Sequence, residues 1–217
     1  GGWGQAPKFP QAMALNFLLT QSARGNRDAL DIAIHALDAM ARGGMYDLVG
    51  GGFSRYSVDN YWLVPHFEKM LYDNALLSRS YLYAHIITGK TNYRKVVQKT
   101  LDFVLRELRH EKGGFYASLD ADSEGEEGKY YLWTREEIQQ VLADHPHQEI
   151  FTAAYDIRPG GNFEGKHVLQ RAQSDQELAD RFQLEPEDIP TLLEEMLDIL
   201  HQHRTGRVPP AVDDKVL

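Results

Sequence analysis

The chain has 217 residues, of which 42% are apolar and 25% charged, a balance that fits one sizeable core in a soluble globular domain. Its 23 Lys+Arg against 32 Asp+Glu give a net charge of −9, which argues against a nucleic-acid surface built on many phosphate contacts and leaves a neutral small molecule or a protein client as partner. No apolar run approaches the roughly 20 residues that cross a bilayer, and the absence of Cys removes disulfides, thiolate metal sites and Cys nucleophiles without naming a compartment, so the cytoplasm is the default expectation.

The opening GGWGQAPKFP and the stop at DDKVL, just past a Pro-Pro turn, read as the edges of a piece of something larger. In this opening loop, stiffened by Pro7 and Pro10, Trp3 and Lys8 are candidate ligand contacts; equally, Trp3 and Phe9 can plug the base of the first helical hairpin. Helices are predicted at about 11–24, 27–42, 65–88, 91–110, 135–154, 174–183 and 187–203 from apolar positions recurring at three- and four-residue steps. Leu30, Ile34, Leu37 and Met40 show the pattern, as do Ile189, Leu193, Met196 and Leu200. Pro65 suits a first helical turn, where its missing N–H has no intrahelical partner.

Between the helix pairs lie segments that resemble one another. GGWG starts at Gly1, GGGFSRYSVD at Gly50, GGFYASLDAD at Gly113 and GGNFEGKH at Gly160, each coupling glycines to an aromatic and then to polar groups. This approximate repeat predicts a ring of helical hairpins whose loops converge on one end, with an irregular α bundle as the alternative. The runs FYASL and KYYLW, on either side of an acidic turn, predict a β-hairpin.

The stretch Gly50–Asn74 carries more chemistry than a core requires. Arg55, Asp59, His66, Glu68, Lys69 and Asp73 stand among Phe53, Tyr56, Tyr61, Trp62, Phe67 and Tyr72. Aromatics beside charges suit a polar ligand with flat apolar faces, such as a sugar. A second acidic stretch, DADSEGEEG, places Asp120, Asp122, Glu124 and Gly125 at positions one, three, five and six of a calcium loop, but Tyr131 stands at position twelve where a bidentate Glu is needed. Paired carboxylates there, Asp120 and Asp122, can instead serve glycoside hydrolysis, and a solvated hairpin tip is the plain alternative for Glu124, Glu126 and Glu127. The histidines lack HExxH spacing and predict no metal site; His167, with Asn162 and Glu164, is a minor candidate. Phosphate-cradling, dinucleotide and serine-hydrolase glycine motifs are absent, and no cofactor is expected.

APKFP at Ala6–Pro10, GGGFSRYSVD at Gly50–Asp59, WLVPHFEKMLYDNA at Trp62–Ala75 and GGFYASLDADSEGEEGKYYLW at Gly113–Trp133 resemble the spermatogenesis-associated thioredoxin-domain family, nearly end to end. The resemblance implies an N-terminal thioredoxin-like domain outside this sequence and an (α/α)6 barrel similar to N-acylglucosamine 2-epimerases and six-hairpin glycosidases. Residues 1–217 are then roughly the first half of that barrel: all-α, a partial (α/α)6 toroid with a small β-hairpin insertion. A half ring leaves apolar flanks uncovered, so an isolated fragment is expected to form a homodimer or higher assembly.

In this light a helix opening at Pro65 sets His66, Lys69 and Asp73 along one face, with Glu68 and Tyr72 on the neighbouring one. A His, a Lys and two carboxylates can abstract and return a proton α to a carbonyl, as a sugar 2-epimerase does, with His66 as acid/base. The plain alternative is a Lys69–Asp73 surface ion pair and a Glu68 that complements the helix dipole. Asp120 and Asp122 complete the catalytic candidates, and Trp3, Lys8, Arg55, Tyr56, Asp59, Trp62, Tyr72 and Tyr116 the substrate-binding ones. The other function in view is a non-catalytic module that presents protein clients to the attached thioredoxin-like domain through its aromatic loops.

Overall fold

A computed structural model describes residues 1–217. Helix α1 (Ala12–Ala23) packs against α2 (Arg27–Arg42) and against α3 (Leu71–Thr88), and α3 pairs with α4 (Thr91–Phe103). Asn26 caps α2 by accepting from the Ala29 N–H at 3.0 Å, and the α2 stripe Ala33, Leu37, Met40 and Ala41 is buried with Leu15, Leu19, Leu77, Tyr81 and Tyr93 in one apolar cluster. Gly89 ends α3 in the left-handed conformation, its N–H returning to the His85 carbonyl, the geometry that glycine adopts without a Cβ penalty.

A second apolar cluster is built by α5 (Arg135–Val141), α6 (Gln148–Ala154), α7 (Asp175–Phe182) and α8 (Ile189–Arg204). Thr134 caps α5, and Ser174 with Glu177 forms a capping box on α7. Leu48 packs against both clusters. These helical hairpins with β insertions have the all-α organisation expected of a partial (α/α)6 toroid. No helix is long and apolar enough to cross a membrane.

The β component is larger than the expected single hairpin. Strand β1 (Tyr56–Ser57) pairs with β2 (Pro65–His66); β3 (Lys69–Met70), β4 (Tyr116–Leu119) and β7 (Val212–Val216) form an antiparallel sheet in the order β3-β4-β7; and β5 (Asp122–Ser123) pairs with β6 (Glu126–Glu127). FYASL therefore pairs with Lys69–Met70 and the C-terminal strand, not with KYYLW, which runs through turns, and between FYASL and KYYLW the hairpin is the short one at Asp122–Glu127.

The helix predicted from Pro65 begins only at Leu71. The preceding residues find better backbone partners in extended form: the Arg55 N–H donates to the Glu68 carbonyl at 2.8 Å, and the Asn74 side chain holds both the N–H and the carbonyl of Phe53, at 2.7 and 3.0 Å. The helix predicted at 135–154 is two helices, since His145-Pro146 disfavours continuation. Beyond Phe103 the expected α-helix turns into a π-helical turn, Val104–Leu108.

Loops from different hairpins meet: Lys8 of the opening loop exchanges backbone hydrogen bonds with Ser57 of the GGGFSRYSVD segment, at 2.8 and 2.9 Å. The Trp62 indole N–H donates to the Gly1 carbonyl at 2.8 Å, β3 pairs with β4, Trp133 exchanges backbone hydrogen bonds with His167, and Gly128 lies where a Cβ would come 2.4 Å from the Phe67 ring. Their convergence is the setting of the site.

Candidate functional site

Because residues 65–70 are extended, their side chains alternate between two faces. His66 and Glu68 point to an accessible side, whereas Phe67 and Lys69 are buried. The helical face proposed for His66, Lys69 and Asp73 does not form, and Lys69 pairs with Asp47 rather than with Asp73.

The outer cluster gathers around His66, whose Nδ1 lies 2.7 Å from Glu127 Oε1 on the β5–β6 hairpin. Its Nε2 lies 3.8 Å from Glu68 Oε2, and its ring stacks on Tyr56 with centroids 4.9 Å apart. Tyr56 in turn packs on Phe9 at 4.8 Å. Glu68 also accepts from Arg55 Nη1 at 2.7 Å. From the first turn of α3, Tyr72, 48% exposed, lies against both Arg55 and Asp73. Partial burial pushes the Asp73 carboxyl up to about 6, against the pull of Arg55 and of a hydrogen bond from Tyr72. Asp73 Oδ2 and Arg55 Nε have no hydrogen-bond partner. A buried acceptor and a buried donor are thus left over near Glu68, which lies between Arg55 and an imidazole whose tautomer a carboxylate can fix.

The inner cluster joins Lys69 to two charges that no sequence motif marks, Asp47 and Arg204. Lys69, 1% exposed, donates to Asp47 Oδ2 and to the Gly51 carbonyl, both at 2.8 Å. Arg204, at the end of α8, grips the same carboxylate with Nη1 at 3.0 Å and Nη2 at 2.8 Å. Burial alone would raise the Asp47 carboxyl, but the charges and hydrogen bonds of Arg204 and Lys69 hold it well below the usual carboxylate range. Burial brings the Lys69 ammonium down to about 8, with Asp47 opposing. Lys69 Nζ also faces the Phe103 and Tyr131 rings at 4.5 and 4.7 Å. Asp47 stands three residues before the GGGF motif; its spacing signalled nothing, and Arg204 reads as one more basic residue in a last helical turn.

The other candidates are dispersed. Lys8 is buried, lies over the Trp62 ring at 4.6 Å and donates to the Gly1 and Asn60 carbonyls. Trp62 is 2% exposed, and Trp3 is half-exposed over a small crevice shared with Phe9 and Trp62. Asp59 accepts from the N–H groups of Tyr61, Leu63 and Val64, so its carboxylate organises the loop between β1 and β2. Asp120 and Asp122 are exposed, Asp120 accepting from the Asp122 N–H at 3.2 Å, and no group of His and carboxylates is arranged to hold a metal ion. Tyr116 meets His110 edge-on in the sheet. His167 is buried and accepts from the Arg158 N–H, while Asn162 clamps Val168.

No protein-family model matches the chain. Along its whole length it is 41% identical to spermatogenesis-associated protein 20 of Homo sapiens, of which it spans 31%. Among solved structures, a sugar epimerase from a ruminal bacterium aligns with 96% of this chain and 64% of its own, at 13% identity and a TM-score of 0.46. The cellobiose 2-epimerase of Spirochaeta thermophila aligns with 98% of this chain and 68% of its own, at 15% identity and a TM-score of 0.48. Likeness at that level informs neither chemistry nor ligand.

Proposed function

We propose that this chain, a relative of one segment of spermatogenesis-associated protein 20, carries a carbohydrate-directed acid/base site centred on His66. The observation that supports the reading best is the His66–Glu127 contact at 2.7 Å, with Asp73 Oδ2 and Arg55 Nε left unpartnered in the same loop region. With Nδ1–H donated to Glu127, Nε2 is the basic nitrogen, and Glu68 close by stabilises the imidazolium once it forms. The reaction class is proton abstraction next to a carbonyl. His66 Nε2 takes the C2 proton of an open-chain sugar, the C–H electrons form a C1–C2 double bond, and Asp73 gives its proton to the carbonyl oxygen. Rotation of the enediol about C2–C3 turns its other face to His66, whose Nε2–H returns the proton to C2 while O1–H gives its proton back to Asp73, which completes an epimerisation with both groups restored. Tyr72, half-exposed, supplies a flat face for the sugar.

The test is a thermal-shift panel of mono- and disaccharides on the full-length protein, with Asp73→Ala and Tyr72→Ala beside wild type. Stabilisation by particular sugars that both variants lose, without matching loss of unliganded stability, supports the site. No stabilisation by any sugar sinks it and favours a module that recognises protein clients instead.

A further inference from the structure

On the opposite face of the 65–70 segment from His66, a partly open cavity of about 100 Å³ is lined by Lys69, Arg204, Arg106, Tyr131 and Glu107, with Pro209 and Pro210 at its wall. It has room for several water molecules or one small oxyanion. The hydrogen-bond inventory around it is unbalanced. The Lys69 ammonium has three donors, of which two are used, on Asp47 and Gly51. Arg204 spends both Nη groups on Asp47, while its Nε is buried without a partner although the residue is 3% exposed. The Tyr131 hydroxyl is likewise buried and unpartnered.

The charges tilt the same way. Three cations, Lys69, Arg106 and Arg204, face two anions, Asp47 and Glu107. Both anions are engaged: Asp47 by Lys69 and Arg204, and Glu107 by Arg106 Nε at 2.8 Å. What remains is one net positive charge and a surplus of donors in a partly desolvated space, where such groups are costly unless satisfied. Water satisfies donors one at a time and leaves the charge. Arg106 reaches the cavity from the π-helical turn Val104–Leu108, a rare distortion that often re-aims side chains at functional sites.

We infer that this cavity is a binding site for a small oxyanion, the phosphate group being the best match to a compact, donor-rich, singly positive space. The site is separate from the His66 cluster and stands whether or not a sugar binds there.

The test is titration calorimetry with inorganic phosphate at constant ionic strength set by chloride, with acetate as the carboxylate probe. Tyr131→Phe keeps the ring and removes the unpartnered hydroxyl; Arg106→Gln removes the more exposed cation and avoids the buried triad. Saturable phosphate binding that weakens about tenfold or more in Arg106→Gln and several-fold in Tyr131→Phe, and is unchanged in His66→Gln, is the expected result. Binding of acetate in place of phosphate reassigns the ligand and overturns the phosphate assignment. No saturable heat with either anion, or binding indifferent to both variants, overturns the site. Sugar-dependent stabilisation measured in the same Arg106→Gln and Tyr131→Phe proteins should persist, which separates failure of this site from failure of the sugar site.

Discussion

His66 and Glu127 lie 61 positions apart in sequence, yet their side chains meet at 2.7 Å. The contact exists because the extended 65–70 segment turns His66 outward while the Asp122–Glu127 hairpin folds back over Phe67. A His–carboxylate pair of this kind fixes which ring nitrogen carries the proton. If it serves catalysis, His66→Gln lowers turnover by about 10²–10⁴-fold and Glu127→Gln by less, while both variants unfold within about 1 kcal/mol of wild type because the pair is partly exposed. Equal activity of wild type and His66→Gln removes the role assigned to this residue.

Asp73 gives a pH-dependent expectation whose sign follows from its folded-state value of about 6 against an ordinary 3.8. Between those values the folded chain holds a proton that the unfolded chain has released, so stability falls as pH rises from about 4 to about 6 and stays lower above. Asp73→Asn removes this penalty. It is expected to stabilise the protein at pH 7.5 by about 1 kcal/mol after solvent screening, with no gain near pH 4. Urea titrations at the two pH values measure this, and a gain of the same size at both contradicts it.

The Asp47–Lys69–Arg204 triad is expected to behave as a unit of stability. Asp47→Ala leaves two buried cations facing each other and should cost about 3–5 kcal/mol. Chemical denaturation of Asp47→Ala reports the loss. A cost under about 1 kcal/mol would mean that water reaches the triad and would contradict its role as a buried unit.

Gly128 links scaffold to chemistry. It sits at a positive φ of 74°, and a Cβ there would come 2.4 Å from the Phe67 ring. Gly128→Ala should cost about 2–4 kcal/mol through strain and overpacking. Displacement of Phe67 also shifts its neighbour His66, so sugar binding should weaken beyond what stability loss explains. A Gly128→Ala protein with wild-type melting temperature and sugar affinity contradicts the packing described here.

Local signals carried the helices well: α2 runs Arg27–Arg42, where the apolar stripe placed it, and the opening loop pairs with the GGGFSRYSVD segment through Lys8 and Ser57. The chemistry was legible only in part. His66, Glu68, Arg55, Tyr72 and Asp73 were named from one segment, but the Pro65 start signal was outweighed by long-range pairing with Arg55, Phe53 and β4. That pairing reversed the face of Lys69. Glu127 was passed over as a solvated tip because nothing in an acidic run shows which carboxylate returns to a histidine 61 residues earlier. Arg204 reaches Asp47 across 157 residues, a distance at which a single sequence offers no periodicity to read.

The most direct measurement is solvent-deuterium incorporation into sugars incubated with the full-length protein in D₂O, followed by proton NMR at the C2 position. Loss of the C2 proton signal with wild type, together with appearance of the C2 epimer, and neither with His66→Gln, is the expected result. No exchange at C2 with any sugar that stabilises the protein, or exchange undiminished in His66→Gln, would contradict the assignment of this site to proton transfer.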